Sequence, residues 1–271
     1  MIVQFASDLH LEYLNRRFPD FVRIARLGSA EADLLILAGD IHVDTHMVEK
    51  FGRWEIPVLY VPGNHEFYDT AIHPQVERIR LAARDSAMRV LFRDEWIFRD
   101  VRFLGCTLWT NYQLMGTGGR QLASMLACEA RIADHRKIMG IDKPGEGFSA
   151  QQAFEQHQCD RAWLESKLNE PFAGKTVVVT HHAPSRGSVH PRFRGDPCNA
   201  GFVSDLDGLV EKADIWIHGH VHDSFDYQVG KCRVLANPGS YATTIGKVKS
   251  PEQLDYENPL FDPAKTVTLA A

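Results

Sequence analysis

The chain has 271 residues, 44% of them hydrophobic, with a formal net charge of -5 and a sequence pI near 6.2. That size and apolar content suffice for one large α/β domain with a substantial core. No Pro- or Ser-rich stretch, charge run or internal repeat marks a boundary within residues 1–271. The acidic balance argues against avid binding of a polyanion such as duplex nucleic acid, and no apolar run approaches the length needed to cross a bilayer.

The five cysteines (Cys106, Cys128, Cys159, Cys198, Cys232) are scattered and form no Cys-x-x-Cys pair. They are expected to be small apolar residues in a reducing compartment, which points to the cytoplasm and to no membrane partner. Met1 to Ala6 already reads as a strand, so a cleavable leader there would cut into the segment that carries Asp8.

In chain order, Ile2 to Ala6 is a short strand and Phe18 to Leu27 has near-helical apolar spacing. Asp33 to Ala38 is almost continuously apolar, as in a strand covered on both faces. A helix is expected at His46 to Trp54, a third buried strand at Pro57 to Val61, and a helix at His73 to Ser86. Strand and helix alternate here, which predicts a parallel sheet with crossover helices and a ligand site beyond the carboxyl ends of its strands.

Arg89 to Phe92, Trp96 to Phe98 and Val101 to Gly105 read as neighbouring antiparallel strands opening a second half. Between residues 111 and 170 lies a mainly helical insertion, with amphipathic spacing at Gln121 to Met139 and Ser149 to Leu168 and an interruption at Gly140 to Gly147. It is either a cap over the site or extra packing on the scaffold. Strands are expected again at Lys175 to Thr180 and Asp214 to Ile217, and a closing hairpin at Phe225 to Val229 with Arg233 to Ala236.

Five polar clusters stand where these apolar runs stop: Asp8-Leu9-His10, Gly39-Asp40, Gly63-Asn64-His65-Glu66, His181-His182 and Gly219-His220-Val221-His222. Taken singly, each is an ordinary turn or surface feature. Together they supply the carboxylate and imidazole ligands that two adjacent divalent cations need, with one carboxylate able to span both. Asp8 and His10 are two residues apart, as are His220 and His222, and in an extended segment that spacing turns both side chains to one face.

The ordered series Asp8-x-His10, Gly39-Asp40, Gly63-Asn64-His65-Glu66, His181 and Gly219-His220-x-His222, over about residues 1 to 240, resembles the calcineurin-like metallophosphoesterase superfamily. The resemblance implies a four-layer α/β/β/α sandwich, with two mixed sheets flanked by helices. It also implies a hydrolase in which two metal ions activate a shared water for in-line attack on a small phosphomonoester or phosphodiester, with the diester slightly favoured. Residue by residue, Asp8, His10, Asp40 and His222 would hold one ion, and Asp40, Asn64, His181 and His220 the other.

His65 is the candidate to protonate the leaving oxygen, with a structural role as the alternative. Where many family members carry an Asp partner for this His, three residues after the Gly-Asp aspartate, the chain has Val43. Glu66 would either orient His65 or cap a helix.

The ligand set is nitrogen and oxygen alone, which suits Mn or Fe and also Zn. A substrate contact or simple packing is open for His182, and a phosphate contact or a solvated loop for Arg186, Arg192 and Arg194. Other readings of the family resemblance are a non-catalytic binding scaffold or a protein phosphatase. His42 and His46 read as second contacts or exposed loop residues, His218 as a strand end, and His73, His135 and His157 as solvated. Asn237 falls in an Asn-Pro turn that either shapes the site or is a plain turn.

Overall fold

The structure is a computed structural model and describes residues 1–19, 26–28, 30–140 and 147–269. Eleven strands are found among these residues, in two mixed sheets. In the first, β1 (Ile2–Ala6), β2 (Leu34–Ala38), β3 (Val58–Val61) and β4 (Met88–Val90) run parallel, and β11 (Thr266–Thr268) pairs antiparallel with β1. The second has the order β5-β6-β7-β8-β10-β9. Its strands are β5 (Asp94–Phe98), β6 (Val101–Cys106), β7 (Lys175–Thr180), β8 (Ile215–His218), β9 (Phe225–Val229) and β10 (Cys232–Ala236). Within it β6, β7, β8 and β10 are parallel, and β5 and β9 close the edges as antiparallel hairpin partners.

The period of two along each strand divides its side chains between two layers. From β2, Leu34, Ile36 and Ala38 face the inter-sheet core, where they meet Phe103, Val177, Val179 and Ile217. Leu35 and Leu37 face the other way, toward Leu14 of α1 (Leu11–Arg17), Met47 and Phe51 of α2 (His46–Phe51) and Ile79 of α3 (Ile72–Ala83). Each such fully buried Leu or Ile contributes about 1.5–3 kcal/mol. On the far face of the second sheet, Val178, Trp216 and Val234 pack against Leu164 of α6 (Ala150–Asn169) and Leu209 of α7 (Asp207–Val210). The expected four-layer sandwich of two mixed sheets flanked by helices is therefore present.

One pairing differs from expectation. The Arg89 to Phe92 segment does not open the second half, because β4 joins the first sheet parallel to β3, with Val58 opposite Met88. Helix α3 makes it the end of a parallel crossover, and the antiparallel series begins with β5 and β6. Helix α1 was not expected, and residues 20–25 of the proposed Phe18 to Leu27 helix lie outside the described residues, as do residues 141–146 within the Gly140 to Gly147 interruption.

The 111–170 region divides in two. Helix α6 starts at a capping box in which Ser149 Oγ accepts from Gln152 N and Gln152 Oε1 accepts from Ser149 N, each at 3.1 Å, and it packs on the second sheet. Helices α4 (Gly119–Arg131) and α5 (Asp134–Lys137) stand instead beside the carboxyl ends of the strands, where Cys128 and Ile138 pack with Phe67, Trp109 and Phe148.

Four of the five cysteines are buried and all are free, while Cys159 is exposed. No helix among the described residues is long and apolar enough to cross a membrane.

Candidate metal centre

All five clusters meet at one end of the two sheets, because β1, β2, β3, β7 and β8 are delivered with the same polarity. The convergence does not come from extended spacing. Asp8, His10, Asp40, His220 and His222 all have positive φ, between 46° and 68°, a left-handed conformation that costs roughly 1–2 kcal/mol per non-glycine residue. The strand ends curl, and the curl aims Asp8 and His10 at one point together with His222, whereas His220, two residues away, turns to the other side with Asp40 and His181, so that pair does not converge. Glycine is required at two places: a Cβ on Gly39 (φ 85°) would come within 2.4 Å of His181 Nδ1, and one on Gly63 within 2.2 Å of Asp40 Oδ1.

Asp40 is at the centre. Its Oδ1 is 3.4 Å from His181 Nε2 and its Oδ2 is 3.9 Å from His10 Nε2 and 3.8 Å from His65 Nε2. Burial opposes its ionisation, but His181, His65 and His10 overcome that and hold the carboxyl well below the usual carboxylate range. On one side, His10 Nε2 and His222 Nε2 face each other at 3.1 Å, with Asp8 Oδ1 3.5 Å from His222 Nε2. Their Nδ1 atoms turn outward, His10 to Glu12 and His222 to Glu257 at 2.8 Å, so both Nε2 atoms point to one spot.

On the other side, His181 Nδ1 contacts Ala38 O at 2.9 Å and its Nε2 meets Asn64 Oδ1 at 2.8 Å. His220 Nε2 is buried with no partner, and burial, with His182 and His181 nearby, keeps this ring neutral well below the ordinary histidine range. An orphaned buried imidazole nitrogen facing a carboxylate fits a metal ligand. Three compact donor groups among the described residues, Asp8-His10-His222, Asp40-His181-His220 and His10-Asp40-His65, each have ligand atoms within 4.8 Å of one another, and the hard oxygen and imidazole donors fit divalent ions.

Three residues that the sequence did not single out hold this arrangement. Glu12, on the first turn of α1, places Oε1 3.0 Å from His65 Nδ1 and 3.3 Å from His10 Nδ1. Burial would raise its pKa, but the hydrogen bonds from His10 and His65 bring it down to about 2. Burial would likewise lower His65, yet Asp40 and Glu12 raise it overall. Tyr241, after β10, sets its hydroxyl 2.9 Å from His65 Nε2. Asp134, from the helical insertion, accepts from Asn64 Nδ2 at 2.8 Å and from Tyr68 OH at 2.9 Å, which turns the Asn64 carbonyl oxygen toward His181.

Glu66 does not orient His65. Its carboxylate accepts from the backbone N–H groups of Asp40, Ile41 and Gly63 at 2.7–3.1 Å and so staples the β2 and β3 loops together.

The remaining histidines and arginines separate clearly. His182 is fully buried and does not reach the cleft, lying against His220 (4.1 Å between ring centroids) and Trp109. Arg192 lines the cleft but donates to Asp223, Arg186 pairs with Asp205, and Arg194 is not among the residues that line the cleft. His42 is buried and contacts Asn15, while His46 is about half exposed. His157 is 2% exposed rather than solvated, because α6 seals it against Leu108. His218 ends β8 with Nε2 on Ser188 Oγ at 2.7 Å, and Asn237 ties β10 to β1 through Phe5 O.

The centre opens into a cleft of about 690 Å³ between the Arg131–Asp134 segment and the 186–203 loop. Two mixed sheets delivering Asp, His and Asn from five strand ends into one cleft define a metal-site α/β protein. Residues 1–224 match the model of the calcineurin-like phosphoesterase family (Metallophos), and the chain belongs to that family.

Among curated proteins it is 22% identical to the uncharacterized protein L509 of Acanthamoeba polyphaga mimivirus, over 96% of this chain and 99% of that protein. It is 20% identical to the 3',5'-cyclic adenosine monophosphate phosphodiesterase CpdA of Escherichia coli (strain K12), over 78% of this chain and 62% of that protein. The solved structure of phosphopantetheinyl hydrolase (PptH) from Mycobacterium tuberculosis matches the fold with a TM-score of 0.63 at 17% identity, over 97% of this chain and 98% of that one.

Proposed function

We propose that this protein is a metal-dependent phosphoester hydrolase with a dinuclear centre and that its substrates are small phosphodiesters. The carrying observation is the meeting of Asp40 with His10, His65 and His181 within 3.4–3.9 Å, beside the unpartnered Nε2 of His220. Asp8, His10, Asp40 and His222 would hold one ion, and Asp40, Asn64, His181 and His220 would hold the second. When bound, a pair of divalent ions of the Mn, Fe or Zn kind supplies hydroxide near neutral pH and draws charge from the phosphoryl oxygens.

The chain's own residues do the rest. His65, kept protonated by Asp40 and Glu12, faces the cleft and donates a proton to the departing alcohol oxygen. Glu12 fixes the ring from Nδ1, so the proton that leaves is the one on Nε2, which rests 2.9 Å from the Tyr241 hydroxyl until the ester oxygen takes its place. Asp134 holds the Asn64 amide so that its oxygen, not its nitrogen, faces the centre. The preference for a diester is supported by the likeness to CpdA, whose name specifies a phosphodiester substrate.

The test is hydrolysis of bis(4-nitrophenyl) phosphate by chelator-treated protein resupplied with Mn, Fe or Zn in turn. Turnover that returns with metal and is abolished in Asp40→Ala supports the reading. A metal-reloaded protein inert toward both this diester and 4-nitrophenyl phosphate would overturn it.

A further inference from the structure

The walls of the cleft differ from its floor. Phe202 stacks on the ring of His220 at 4.5 Å between centroids, with 24° between planes, so an apolar wall begins where the ligand set ends. Ile132 and Phe193 also line the cleft, and Phe193 is 43% exposed.

Both guanidinium groups in this lining are already engaged. Arg131 makes a fork-to-fork pair with Asp196, two bonds of 2.8 Å, and Arg192 donates to Asp223 at 2.8 Å. Outside the proposed ligands, the described lining thus carries the carboxylates of Asp134, Asp196, Asp223 and Glu257 against those two guanidinium groups and His65.

Charge decides which ester such walls accept. A phosphomonoester is largely a dianion above its second pKa of about 6 and asks for positive charge beyond the metals, usually from a bidentate arginine. Here the arginines are spent on carboxylates, and the carboxylate left in surplus repels the second charge. A diester carries one negative charge, which the floor meets alone, and its uncharged ester group buries apolar surface at about 25 cal/mol per Å² against the aromatic wall.

We infer that the cleft selects a monoanionic phosphodiester bearing an uncharged, apolar ester group laid along Phe193, Phe202 and Ile132, and that it rejects dianionic phosphomonoesters. This rests on the hydrolase reading and assigns the walls, rather than the metal floor, as the specificity determinant.

The test uses two esters with one leaving group, 4-nitrophenyl phosphate and methyl 4-nitrophenyl phosphate, on the metal-loaded full chain. The diester is expected to show kcat/KM at least about tenfold higher. Asp223→Asn, which releases Arg192 from its carboxylate, is expected to raise kcat/KM for the monoester relative to the diester about fivefold. Phe193→Ala, at an exposed position that does not threaten folding, is expected to raise KM for the diester about fivefold, most of its loss falling on KM.

A wild-type protein that prefers the monoester, or a ratio and KM unmoved by the two variants, would overturn the inference while leaving the hydrolase reading standing. Turnover of neither ester would overturn both.

Discussion

The carboxylate of Glu12 reaches across from α1 to hold His65, with Oε1 3.0 Å from Nδ1, and the same oxygen is 3.3 Å from His10 Nδ1. One side chain therefore positions both a proposed metal ligand and the proposed proton donor. It fills the role left vacant by Val43.

Glu12→Gln keeps the size of the side chain but removes its charge, so His65 loses part of what keeps it protonated. The expected loss in kcat is about 100-fold for a diester with an alkyl leaving group and less than about threefold for one that releases 4-nitrophenolate, which needs little protonation. Equal losses for the two leaving groups would remove Glu12 from proton donation.

Asp134→Leu should act on the metal and not on the fold. Without the acceptor at 2.8 Å the Asn64 amide is free to rotate, and loss of such an outer partner typically weakens metal affinity about 10–100-fold. Calorimetric titration of metal into the variant checks this, with circular dichroism confirming that the helices remain.

Metal should also stabilise the protein. Five residues of the centre are in the left-handed region, and a ligand present at 100 times its Kd adds about 2.7 kcal/mol. For a chain of this size that is about 5–10 °C in Tm. Scanning calorimetry with chelator and then with restored metal should show the drop and its recovery, and an unchanged Tm would argue against a formed metal site.

His157 gives a pH dependence remote from the centre. Its Nδ1 is 2.9 Å from Leu108 O, and its Nε2 is buried with no partner, so a second proton has no acceptor. Burial, ahead of all other effects, lowers its pKa from 6.5 to about 4. A depressed folded-state value means that the unfolded chain binds the extra proton first. Stability from this group is therefore complete above pH 6.5 and is lost as pH falls toward 4, by at most about 3 kcal/mol. Urea midpoints across that range should slope for the wild type and slope less steeply in His157→Asn, because His218 is lowered over the same range.

The proposed ligand set was legible because each of its members follows an apolar run, and parallel strands place such ends together. Asp8, His10, Asp40, Asn64, His181, His220 and His222 are all brought to one centre as that pattern required. What was not legible came from elements without a strong period. Helix α1 buries little more than Leu11 and Leu14, so Glu12 carried no signal of its own. Asp134 reaches Asn64 from 70 positions away, through an insertion whose side of the sheet no spacing reveals. The sequence does not place strand β4 in its sheet, because three residues, Met88–Val90, alternate in burial but are too few to tell parallel from antiparallel pairing. His157 reads as solvated because the one buried face of α6 is itself largely polar, carrying Gln152, Gln156, His157 and Asp160.

The most direct test of the two-ion account is the initial rate of bis(4-nitrophenyl) phosphate hydrolysis as Mn is titrated into metal-free protein of known concentration. The account requires activity that rises with added metal and saturates at about two ions per chain. Saturation at one ion, or activity indifferent to metal, would contradict it.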